Sequence, residues 1–134
     1  KETVKKENAL EDSSRVKGGS GAKFGINKLT RSQKKAIESA ENTINDHLKE
    51  SDLSAALNDL QGNPIEKPGG GYWNHAQEVR DAYPSLKRAK NTLEGSLKNP
   101  NLEPDVRNYI QSKYDTITEY MTRIEDLFAP YGGI

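Results

Sequence analysis

The stretch Leu97-Lys98-Asn99-Pro100-Asn101-Leu102-Glu103-Pro104 decides the architecture. Asn-Pro-Asn is a strong turn signal, and Pro104 suits the first turn of a helix, where a missing N–H has no intrahelical partner to lose. Long helical patterns flank it on both sides. Upstream, Ala76, Val79, Tyr83, Leu86, Leu93 and Leu97 recur close to a seven-residue repeat, and downstream Val106, Ile110, Ile117, Met121, Ile124 and Phe128 form a second stripe. Two such patterns across a short turn make an antiparallel hairpin with one apolar face.

Two shorter helices precede the hairpin and must cover that face. Thr30-Arg31-Ser32-Gln33 has the form of a capping box and opens a helix whose stripe is Ile37, Ala40, Ile44 and Leu48, with His47 beside it. Ser51 or Asp52 then caps a helix carrying Leu53, Ala56, Leu57 and Leu60, which Gly62 and Pro64 end. Residues 62–71 read as a loop, and the third helix starts at Tyr72 or Trp73. Pro84 lacks a backbone donor and is expected to kink or break that helix near Tyr83. No window alternates with period two, so the expected fold class is all-α: a compact domain of about four to five helices with a long antiparallel helical hairpin.

Hydrophobic residues make up 32% of the 134-residue chain, below the roughly 45–50% usual for globular proteins. Residues 1–28, with mixed charges and Gly18-Gly19-Ser20-Gly21, account for much of the deficit and read as a flexible linker from an upstream region, leaving 29–134 as the domain. A chain that begins with Lys1 reads as a piece of something longer. No apolar run approaches the roughly 20 residues needed to span a bilayer. The absence of cysteine excludes disulfides and thiolate metal sites. Formal net charge is zero, yet the charges are uneven: the third helix is basic and the last is acidic by comparison, so a polyanion would meet the third helix first.

The rare residues concentrate in Lys67-Pro68-Gly69-Gly70-Gly71-Tyr72-Trp73-Asn74-His75, which carries the one tryptophan and one of the two histidines. An imidazole exchanges a proton near neutral pH, and a helix start offers free N–H groups to an anion. Helical spacing puts His75 beside Tyr72, Glu78 and Val79, with Asn74, Glu78 and Asp81 on an adjoining strip. A carboxylate can fix the imidazole tautomer, and a nearby cation can hold a phosphate. These parts suit metal-independent RNA cleavage, in which a base deprotonates the 2′-hydroxyl and an acid protonates the leaving 5′-oxygen. Tyr72 and Trp73 can stack on a base or, favoured for a ring as large as Trp73, anchor the helix start in the core. His47 reads as packing or capping. His75 and Glu78 give two possible metal ligands without a third, and the Gly-Lys-Ser/Thr ending of a nucleotide-hydrolase phosphate loop is absent.

Three blocks, Leu57-Asn58-Asp59-Leu60-Gln61-Gly62-Asn63-Pro64, the glycine-tyrosine-tryptophan-histidine segment, and Gly95-Ser96-Leu97-Lys98-Asn99-Pro100-Asn101-Leu102, resemble the polymorphic toxin type 28 family over about residues 29–134. The resemblance implies a ribonuclease domain at the C-terminus of a long secreted protein, including contact-dependent growth inhibition effectors. It implies delivery from the producing cell surface, action on RNA in the target cytoplasm, and neutralisation by a cognate immunity protein. An acidic inhibitor covering the active site fits the basic third helix. Within the matching block His75 is the catalytic candidate, with Tyr72, Trp73 and Asn74 close to the cleft. Helical proximity adds Glu78, Arg80 and Asp81 as catalytic partners, and Lys67 and Arg88 join the substrate contacts. No cofactor and no metal are expected. Pro84 departs from the uninterrupted helix expected of the family. A non-enzymatic helical interaction module is the alternative, and it would present a broad exposed apolar surface.

Overall fold

A computed structural model describes residues 25–134, so most of the expected linker, residues 1–24, lies outside the described residues. Ile26–Lys28 already form a 3-10 turn, and Lys28 pairs with Asp105 at 2.7 Å and Glu103 at 3.3 Å. Four helices follow: α1 (Arg31–His47), α2 (Glu50–Leu60), α3 (His75–Leu97) and α4 (Pro104–Phe128). A second 3-10 turn, Ala129–Tyr131, ends the order, and no strand forms among the described residues beyond one isolated bridge. None of these helices is long and apolar enough to cross a membrane. The all-α class and the long hairpin are as the sequence led us to expect.

Helix α3 is the centre of the domain, packed against α1, α2 and α4. Its stripe of Val79, Ala82, Leu86, Ala89 and Leu93 is buried against Ile37 and Ala40 of α1, Leu53 and Ala56 of α2, and Ile110, Ile117, Ile124 and Phe128 of α4. The Thr30 hydroxyl accepts from Gln33 N while the Gln33 side chain accepts from Thr30 N, completing the expected capping box. The same Gln33 donates to Ser96 Oγ at 3.0 Å, so one buried amide both starts α1 and ties it to the end of α3. At the hairpin turn the Arg107 guanidinium donates to the Leu97 carbonyl at 2.7 Å and to Asn99 O at 2.5 Å, satisfying acceptors that the end of α3 leaves open.

Three boundaries differ from the sequence reading. Helix α2 starts at Glu50, because Asp52 acts from inside the first turn, accepting from Lys49 N at 3.0 Å, and is not itself the cap. Helix α3 starts at His75, because Tyr72 and Trp73 are engaged in a short hairpin: Tyr72 bridges Glu66, and Trp73 N donates to Ile65 O at 2.9 Å. Helix α3 also runs unbroken through Pro84. Pro84 lies on the exposed face, so water can serve the Arg80 carbonyl that loses its ladder partner, and burial of Val79 and Leu86 holds both halves on one core.

Tyr83 donates to the Glu125 carboxylate, linking α3 to α4. That hydrogen bond first, and burial second, push the phenol up to about 12. The folded state holds this proton more tightly than the unfolded chain does. The contribution is therefore complete below about pH 10 and is lost as pH rises towards 12. Tyr83→Phe is expected to cost roughly 1 kcal/mol at neutral pH. Urea titrations of both proteins should show the gap closing between pH 10 and 12, and a constant gap would deny the linkage.

Candidate active site

The segment before α3 is shaped by its glycines. Gly69, Gly70 and Gly71 have φ of +92°, +113° and +79°, and a Cβ added at any of them would meet nothing within 4 Å. They are needed for a left-handed turn, not for close contact with the chain. Lys67 N donates to Gly71 O and Gly70 N to Lys67 O, closing the turn, so the hairpin lifts Tyr72 and Trp73 into solvent at 58% and 47% exposure. That exposure corrects the expectation of a Trp73 buried as a core anchor. Lys67 Nζ lies 5.1 Å from the Trp73 ring centre. The Trp73 ring lies 6.1 Å from that of His75.

Helix α2 ends in a Schellman arrangement, with Asn63 N donating to Asn58 O at 2.8 Å and Gly62 N to Asp59 O at 3.1 Å around a left-handed Gly62. This places the Asp59 side chain, only 8% exposed, under the start of α3. Asp59 Oδ2 accepts from Ala76 N at 3.0 Å, and Asn74 Oδ1 accepts from Gln77 N at 3.0 Å. The protein thus supplies its own anion to the helix start, where the sequence reading had left the N–H groups for a phosphate.

His75 Nδ1 lies 4.0 Å from Asp59 Oδ2. Both His75 Nδ1 and Asp59 Oδ1 are buried without a hydrogen-bond partner. At 4.0 Å the pair is short of a hydrogen bond, and a shift of about 1 Å brings the orphaned His75 Nδ1 onto the oxygen that already holds Ala76 N. The ring keeps 19% exposure on the side away from Nδ1, so Nε2 is the nitrogen open to solvent. A carboxylate hydrogen-bonded to Nδ1 fixes the ring proton there and leaves the Nε2 lone pair free.

The other expected site residues divide. Glu78 is exposed one turn beyond His75, and its carboxylate has no partner among the described residues. Asp81 is occupied, accepting from Gln77 Nε2 at 2.7 Å. Arg80 turns away: its guanidinium lies 4.6 Å from the Phe128 ring centre and donates to Gly133 O at 3.5 Å. Arg88 lies 13 residues along α3 from His75, about 20 Å at the helical rise, and lines a groove against α1. The cations of α3 therefore fan out around the helix and do not form one track. His47 closes α1 with its Nδ1 buried and unpartnered. Among the described residues no three His, Asp or Glu side chains gather as metal ligands.

The sequence reading missed Asp59. One signal could have found it: a carboxylate in the last turn opposes the helix dipole, so its position needs a partner elsewhere. The exposed large apolar residues also bear on the docking-module alternative. Among the described residues they are Ile26, Ile65, Tyr72, Trp73, Tyr131 and Ile134, and Ile65, Tyr72 and Trp73 belong to the hairpin beside His75.

Fold and site together define a small all-α domain with a carboxylate-backed histidine, open to solvent beside exposed aromatic rings. The chain belongs to the bacterial toxin 28 family, whose family model matches residues 28–130. It is also similar to the tRNA nuclease CdiA of Escherichia coli O6:K15:H31 (strain 536 / UPEC), at 33% identity over 107 residues. That match covers 80% of this chain, which spans 3% of the length of the relative. The toxin-family resemblance read from the glycine-tyrosine-tryptophan block is thereby borne out.

Proposed function

We propose that the domain is a metal-independent endoribonuclease toxin acting on RNA of the transfer class, as the name of its relative suggests. The observation that carries this reading is the Asp59–His75 pair opening on the exposed Trp73 ring. His75 Nε2 takes the proton of a 2′-hydroxyl, whose oxygen attacks the adjacent phosphorus. The bond to the 5′-oxygen breaks, and an acid protonates that leaving oxygen. Glu78, one helical turn beyond His75, is the candidate for the second proton transfer, being the expected partner whose carboxylate stays unengaged. Trp73 and Tyr72 stack on the bases flanking the cut, and Lys67, already over the Trp73 ring, supplies charge for the phosphate.

In this reading the domain is delivered from a cell surface as part of a larger protein, acts in the target cytoplasm, and is neutralised by an acidic immunity protein covering His75. Purified domain incubated with total tRNA in chelator should produce discrete fragments. Cleavage restored only by added Mg²⁺ would move the carboxylates into metal binding. Intact tRNA under both conditions would leave the interaction-module alternative standing.

A further inference from the structure

A groove of about 370 Å³ runs between α1 and α3, and its polar lining is Lys35, Arg88, Ser32, Ser39, Ser85 and Thr92. No carboxylate lines it. The neighbouring groove on α1, which shares Lys35 and Ser39, carries Glu38 and Asp46. Lys35 and Arg88 have no side-chain partner among the described residues, whereas Lys28, Lys90, Lys113 and Arg123 each face a carboxylate. Two unneutralised cations from packed helices over one groove are matched by an anion that enters it. The hydroxyls of Ser32, Ser39 and Thr92 are likewise unpartnered, and Ser85 shares one hydrogen bond with Thr43 at 3.1 Å.

The groove also has a direction. Gln33 meets Ser96 and Thr43 meets Ser85, so α1 and α3 are antiparallel and the seam runs along α3 from its C-terminal part to the end of α1 at His47, short of His75. Arg88 is about 20 Å from His75 along α3, a distance that spans several nucleotides. The cations and hydroxyls suit phosphate oxygens and ribose hydroxyls, and no large apolar side chain lines the groove as an anchor for a protein partner.

We infer that the α1–α3 groove binds the sugar-phosphate backbone of single-stranded RNA several nucleotides from the cut, with Lys35 and Arg88 each on a phosphate. The inference rests on RNA being the substrate, and it extends the footprint beyond the His75 cleft.

The test measures binding apart from cleavage. In a His75→Ala background, anisotropy of a labelled single-stranded oligoribonucleotide is followed against salt, with and without Lys35→Ser/Arg88→Ser. The slope of log affinity on log salt should fall by about 1.4, from two phosphate contacts of about 0.7 each. A double variant removing two charges elsewhere, Lys90→Ser/Lys113→Ser, should leave the slope intact. An unchanged slope in the groove variant, or equal losses in both, overturns the groove. Thermal melts establish that each variant is folded. In the cleavage-competent domain the groove variant should raise KM for tRNA at constant kcat, and leave a dinucleotide substrate unaffected. Failure of the wild-type domain to cut RNA would count against the ribonuclease reading, while the binding slope would still decide the groove.

Discussion

RNA cleavage by the purified domain is expected to fall by about 10²–10⁴-fold when His75 is replaced by alanine, the range that a positioned acid or base contributes. The substitution should leave the fold intact. Asn74 caps α3 through Gln77 N, Asp59 holds Ala76 N, and the core stripe of α3 begins only at Val79. Circular dichroism and a thermal melt matching wild type would separate lost chemistry from lost structure. Undiminished cleavage by a folded His75→Ala protein would remove the imidazole from the mechanism.

Asp59→Asn should be nearly as damaging, for a different reason. Asparagine keeps an oxygen for the Ala76 N–H, so the start of α3 remains capped. Its amide nitrogen, however, takes the place of Oδ1, and no carboxylate charge then faces His75 Nδ1. The charge that stabilises the imidazolium formed on proton transfer is gone. Loss of at least about 100-fold in kcat is expected, because the imidazolium formed when His75 takes the proton loses its carboxylate, with KM for tRNA little changed. Asp59→Ala removes the cap as well and should add about 1 kcal/mol of destabilisation, read by urea titration. An Asp59→Asn enzyme with wild-type turnover would sink the pairing. A loss appearing only in KM would reassign Asp59 to substrate binding.

Local chemistry made much of the fold legible. The Thr30–Gln33 capping box, the Gly62 stop and the Pro104 start are short-range devices that act within a turn of chain, so sequence displays them directly. Boundaries were misread where a side chain had two possible partners. Tyr72 and Trp73 fit a helix start by composition, yet pairing with Glu66 and Ile65 across the glycine turn satisfies their backbone sooner. Pro84 reads as a breaker in isolation, but buried side chains on both sides of it keep one helix.

The site divides in the same way. The sequence by itself determined the all-α hairpin, the glycine loop before the aromatic rings, and the placing of His75 near a helix start, because periodicity, capping and turn chemistry are local. Only the tertiary structure decided which groups meet. Asp59, 17 residues before Ala76, comes beneath His75 because α2 packs on α3, while Arg80, five residues after His75, leaves for Phe128 because the helix turns it towards α4. Spacing of 3.6 residues per turn says which side chains share a face of one helix. It says nothing about which neighbouring helix that face will meet.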